Sequence, residues 1–232
     1  MNEAKRIVFV LALFFAFSKL SALDLHFTGK ELDLDIRGEY NRTFLFSGDL
    51  SIKSALELNN RYALRAGIAY GILDDQSEIK AFAATGFKLL PGKPFNLCLN
   101  YIFNELSGYD INSHTVLPLI SYCGRWIGIA IGVSFRFTSF FAESFVQESI
   151  LSYSTFVNFV DNKMLRIGIG YSNFDDFQAG NTGAYSLNLN SVVHITELLS
   201  LTNVIELIQS GSVALSASFY GIALRGGVQF RW

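Results

Sequence analysis

YGIALRGGVQFRW, residues 220–232, sets Tyr220, Ile222, Leu224, Val228, Phe230 and Trp232 on one parity. Gly221, Ala223, Arg225, Gly227, Gln229 and Arg231 fall on the other. Successive side chains of a strand point to opposite faces, so one face is apolar and the other small, polar or cationic. The pattern recurs upstream. Ile127, Ile129, Ile131, Val133, Phe135 and Phe137 oppose Gly128, Ala130, Gly132, Ser134, Arg136 and Thr138. Leu165, Ile167, Ile169 and Tyr171 oppose Arg166, Gly168, Gly170 and Ser172, and Tyr62–Ile72 behaves alike.

The N-terminus says which solvent meets the apolar face. Lys5 and Arg6 precede an apolar core, Ile7–Phe17, and Leu20-Ser21-Ala22 offers a small-residue cleavage site. Residues 1–22 therefore read as a signal peptide, since that core is too short for a bilayer needing roughly 20 apolar residues. Removing Lys5, Arg6, Lys19 and Glu3 from 18 basic and 20 acidic residues leaves 15 and 19, a net charge of −4. That balance argues against a nucleic-acid partner. Half of the residues are apolar and only 16% are charged, yet no later segment is a membrane helix. An exported chain of this kind satisfies its backbone in lipid by closing a β-barrel, with 22 Phe and 10 Tyr available for interfacial girdles.

Tight turns fall at 59–61, 91–94, 123–125, 161–163 and 196–200, and longer polar links at 44–49, 73–78, 104–114, 140–149, 174–183 and 208–216. Five turns and six links separate twelve strands and leave both ends on the turn side. The fold class is all-β, an antiparallel transmembrane barrel of about 12 strands, with ten as the alternative. One domain results: signal peptide 1–22, a short periplasmic segment 23–31, and a barrel over 32–232. The tight turns carry Arg61, Lys93, Arg125 and Lys163, while the longest links carry only acids: Asp74, Asp75, Glu78, Glu105, Asp110, Glu143, Glu148, Asp175 and Asp176. These acids are expected to be solvated, with divalent-cation binding as the other reading. Links of about ten residues are expected to be too short for an elaborate plug.

On the inward parity, Arg37, Lys53, Arg65 and Arg225 share four neighbouring strands at mid-height, with Arg136 a further lumen-lining base. A cationic ladder there would steer anions. Asp35, Glu39 and Glu57 lie on the same strands, so cross-strand ion pairs filling the interior are the alternative. The inward Gly and Ala residues either leave room for water or relieve crowding. No cofactor or metal site is expected, because three scattered His and two Cys have no ligand spacing. No catalytic residue is assigned. His194-Ile195-Thr196 is the nearest match to a hydrolase His-x-Ser pair, and Asp110 with His114 is the nearest rim pair. Cys98 and Cys123 would face each other if their hairpin were centred near 110–111, giving a possible disulfide.

Signal peptide, about a dozen alternating strands and an aromatic terminal residue together resemble the integral outer-membrane β-barrel proteins of diderm bacteria. The resemblance covers the mature chain and is architectural. It implies outer-membrane lipid around the barrel and assembly machinery that reads Val228, Phe230 and Trp232. The expected function is a passive channel or uptake protein for small polar or anionic solutes. A non-conducting structural or surface-interaction barrel is the alternative, and an outer-membrane enzyme the third.

Overall fold

The computed structural model describes residues 27–41, 46–58, 61–73, 76–89, 93–107, 110–140, 144–178, 184–210 and 218–232. The signal peptide (1–22), His26, Asp74, Asp75 and Glu143 lie outside them. Twelve strands form: β1 (Phe27–Asn41), β2 (Ser47–Leu58), β3 (Tyr62–Leu73), β4 (Gln76–Lys88), β5 (Phe95–Leu106) and β6 (Ile111–Cys123) in the first half. β7 (Ile127–Phe140), β8 (Ser144–Asp161), β9 (Leu165–Ser172), β10 (Ala184–His194), β11 (Leu199–Ser210) and β12 (Ser218–Arg231) follow. Each pairs antiparallel with its sequence neighbours, and β12 pairs with β1, so the sheet closes without a free edge. Leu34 faces Val228 and Arg37 faces Arg225 across the seam. Lys30 and Trp232 exchange both backbone hydrogen bonds at 3.1 Å, which locks the closing strand in register. β1 begins at Phe27, inside the segment assigned to the periplasm from sequence.

Polarity is inverted relative to a water-soluble sandwich. Asp35 and Arg37 are 4% and 7% exposed, whereas Leu34 and Ile36 beside them are 41% and 66% exposed. A wall with apolar residues out and charged residues in is stable only if the outer solvent is hydrocarbon. Aromatic pairs mark both rims of the apolar belt. Tyr62–Phe87 and Phe95–Tyr122 lie at the turn end with centroids 5.2 and 5.1 Å apart, and Phe103 packs on His114 at the loop end.

Among the described residues, most positions of the polar links read from sequence are strand. β4 starts at Gln76, β5 runs to Leu106 and β8 starts at Ser144, so Glu78, Glu105 and Glu148 belong to strands. His114 likewise sits in β6, not in a loop with Asp110. The reason is physical: the interior of this barrel is polar, so a polar run does not mark the end of a strand. Asp110 keeps its loop character, with φ of 49°.

The inward glycines relieve crowding. A Cβ at Gly227 would strike the Asp35 carboxylate and lie 2.8 Å from both the Leu34 carbonyl and the Thr202 hydroxyl. Gly227→Val is therefore expected to displace Asp35 and cost about 1–3 kcal/mol through overpacking. Urea unfolding of the barrel in detergent micelles measures it; an unchanged midpoint would refute the packing argument.

Candidate functional site

The described part of the β9–β10 connection, residues 173–178, decides the interior. β9 has only eight residues beside the eighteen of β8, so it stops below the loop-end rim. Asn173 makes one more rung: its N–H donates to the Tyr153 carbonyl (3.1 Å) and its Nδ2 to the Leu151 carbonyl (2.8 Å). The Tyr153 N–H returns a bond to Asn173 Oδ1 at 2.8 Å. The chain then turns into the lumen. Asp175 Oδ1 accepts the Phe177 and Gln178 N–H groups at 2.7 Å each, and the Asp175 N–H donates to the Gln178 carbonyl at 2.9 Å. That Asx-type turn stiffens the tip.

The tip lands on the basic band. Arg225 Nη2 donates to Asp175 Oδ2 (3.2 Å), and Arg65 Nη2 donates to Asp176 Oδ2 (2.9 Å). Lys53 lies 3.8 Å from Asp176 and 2.6 Å from Asp35. Glu206 on β11 joins Arg37 (3.1 Å) to Arg225 (3.4 Å), and Arg37 also pairs with Glu39 at 2.9 Å. Phe177 packs edge-on against Phe82 with centroids 5.1 Å apart, in a buried cluster with Ala69, Ala84 and Ile102. Gly67 makes room for it, since Phe82 and Lys53 lie across the space a Cβ would need. Burial opposes ionisation of Asp175, but Arg225, Arg37, the Phe177 N–H and Lys80 outweigh it and hold its carboxyl below the usual carboxylate range.

Four bases named from sequence thus converge: Arg37, Lys53, Arg65 and Arg225 line one arc of wall, β12-β1-β2-β3. Asp35 and Glu39 are their partners as expected. One assignment needs correction: Glu57 pairs with Lys88 (2.6 Å) and not with a base of the band. Arg136 lines the lumen as expected and pairs with Glu148 (3.6 Å) on β7–β8, away from the band. Three residues of the constriction escaped sequence reasoning as site residues: Asp176, Asp175 and Phe177. Asp175 and Asp176 are ion-paired rather than solvated, and the six residues 173–178 suffice to enter the lumen. Among the described residues no group of three or more His, Cys, Asp or Glu is arranged to hold a metal ion.

The disulfide reading fails on register. In the β5–β6 pairing Leu106 faces Ile111 and Cys98 faces Leu119, not Cys123. The assumed hairpin centre was two residues too late, which slides every pair by four. Both thiols are free, each 3.9 Å from the Ser121 hydroxyl. His194 bonds Ser200 at 2.8 Å across its hairpin instead of pairing with Thr196, whose hydroxyl accepts the Leu198 and Leu199 N–H groups.

On the loop-end side of the constriction lies a cavity of about 580 Å³. Arg37, Glu39, Lys80, Glu206 and Asp175 form part of its lining, with Arg136 and Glu148 on the far wall. A polar vestibule therefore meets a charged floor at mid-barrel.

No protein-family model matches the chain, and no curated protein matches it in sequence. Solved structures do match its fold. The translocator domain of the autotransporter NalP from Neisseria meningitidis superposes with a TM-score of 0.60 at 11% identity, covering 99% of this chain and 98% of that one. The NanC porin gives 0.58 at 12% identity and the KdgM porin 0.54 at 12%, each over 85% of this chain and 98% of the other. Their shared architecture, with the closed sheet and outward apolar belt, makes this chain a twelve-stranded β-barrel of the outer-membrane type.

Proposed function

We propose that the protein is a passive channel or uptake barrel for small polar or anionic solutes in the bacterial outer membrane, closed at mid-height by its own β9–β10 loop. Residues 1–22 direct export in this reading and are cleaved. The observation that carries it is that a loop tip, and not wall side chains alone, reaches the basic band inside the lumen. The tip is held by ion pairs and one phenylalanine, and a polar vestibule of about 580 Å³ leads to it. Withdrawal of the tip exposes Lys53, Arg65 and Arg225 to the solute path, which sets the anion preference. The polar lumen and the fold shared with NanC and KdgM support conduction.

A non-conducting barrel is the second reading, favoured by the pairs Lys53–Asp35 and Arg37–Glu206 that neutralise much of the band. Planar-bilayer recording separates the two. The triple variant Asp175→Asn, Asp176→Asn, Phe177→Ala is expected to give larger or more frequent steps than the wild type. Its reversal potential under a KCl gradient should lie on the anion side. A folded triple variant that passes no current would defeat the channel reading and leave the packed barrel standing.

A further inference from the structure

The loop tip is chemically odd for a simple stopper. An apolar plug would close a polar lumen poorly, but a neutral polar one would suffice. Instead two adjacent carboxylates and a phenyl ring are presented on a turn that Asp175 itself stiffens. Each of the three groups has its own receptor: Arg225 for Asp175, Arg65 with Lys53 for Asp176, and the Phe82 face with Ala69, Ala84 and Ile102 for Phe177. Arg65 makes no ion pair with a strand carboxylate among the described residues; its ionic partner among them is Asp176 of the tip, and its guanidinium sits 5.7 Å from the Phe82 centroid. Arg37, in the same band, keeps a buried Nε with no hydrogen-bond acceptor among the described residues. Arg65 is therefore a donor that no wall carboxylate claims among the described residues.

We propose that Lys53, Arg65 and Arg225, with the apolar seat of Phe82 and Ile102, form a binding site for a small aromatic dicarboxylate, and that the tip Asp175-Asp176-Phe177 occupies it as a tethered imitation of that ligand. The proposal deepens the channel reading, on which it rests for the solute's access. Guanidinium groups bind carboxylates through paired N–H bonds, and they stack on aromatic faces. Arg65 on β3 and Arg225 on β12 reach in from opposite sides of β1 and β2, so one carboxylate satisfies only one pole. A ring bearing two carboxylates serves both poles and the seat. Because the tip is tethered, it competes at an effective concentration on the order of millimolar, and a ligand must displace it to bind.

Isothermal titration of the refolded barrel with isophthalate tests this, with benzoate as the single-carboxylate comparison. In the Asp175→Asn, Asp176→Asn, Phe177→Ala variant, isophthalate is expected to bind at least tenfold more tightly than benzoate. It should also bind at least tenfold more tightly there than to the wild type. Adding Arg65→Gln to that variant should remove the preference for isophthalate, with folding checked by heat-modified gel mobility. Saturable binding that is equal for isophthalate and benzoate, or unchanged by Arg65→Gln, overturns the site, as does absence of binding by the folded variant. Bilayer recording of the same preparation keeps the two claims apart. Current without isophthalate binding sinks the site and spares the channel, whereas binding without current does the reverse.

Discussion

Phe177→Ala is expected to open the barrel more than any other single change in the loop. Phe177 is 5% exposed, edge-on to Phe82 and against Ala69 and Ile102. Truncating a buried phenylalanine costs about 3–5 kcal/mol. That cost falls on docking of the tip and not on the barrel, because residues 173–178 contribute no strand to the closed ladder. At 1.4 kcal/mol per tenfold, the docked-to-released ratio drops by a factor on the order of 10² to 10⁴. Asp176→Asn removes the Arg65 pair, but the Arg65 side chain is 46% exposed, so water screens the loss. An ion pair of that kind contributes about 0–1 kcal/mol, roughly a fivefold change at most. Open probability in single-channel records should thus rise far more for Phe177→Ala than for Asp176→Asn. Equal effects, or the reverse order, would show that charge and not the phenyl seat holds the tip.

Acid should open the barrel as well. The Asp175 carboxyl sits below the usual carboxylate range while docked, because Arg225, Arg37 and Lys80 outweigh the burial that opposes its charge. When the tip is released the group returns to about 3.9, the ordinary aspartate value. A lowered value in the docked state stabilises docking fully above that range, and the contribution disappears as pH falls through the lowered value. Open probability should therefore stay flat from about pH 8 to 5 and climb below about pH 4. Asp175→Asn is the control: it raises the neutral baseline and flattens the acid limb. A rise toward alkaline pH, or an acid limb identical in Asp175→Asn, would contradict the assignment.

The strands and the closed seam were legible because a period of two with lipid outside leaves an unusual trace. Leu34, Ile36, Leu224 and Phe230 alternate with Asp35, Arg37, Ala223 and Gln229, and no water-soluble core explains both sets together. The basic band followed from parity and strand adjacency, which is why Arg37, Lys53, Arg65 and Arg225 were found together. Partner choice was less legible. Glu57 lies on β2 two rungs from the band and finds Lys88 on β4, since long side chains lean along the wall in ways that pairing order does not encode. Loop lengths were overestimated wherever Glu78, Glu105 or Glu148 made a strand end look polar. Register then slipped, and the Cys98–Cys123 pairing with it. The inward fold of the tip left one trace that a different reading would have used. Asn173, Asp175 and Asp176 end β9 early, and Phe174 and Phe177 flank the acids, an apolar signature that a purely solvated loop does not need.

Docking of residues 173–178 inside the barrel is the claim on which conduction, acid gating and the ligand site all depend. Hydrogen exchange of the refolded wild-type barrel, read at the backbone amides of Asp175, Phe177 and Gln178, tests it without reference to current. Each of these N–H groups has a named acceptor in the docked state. They should exchange markedly more slowly than in the Phe177→Ala variant at neutral pH. Exchange in the wild type that is as fast as in the variant, at the rate of an unstructured loop, would mean that the tip is not docked and that the constriction does not exist.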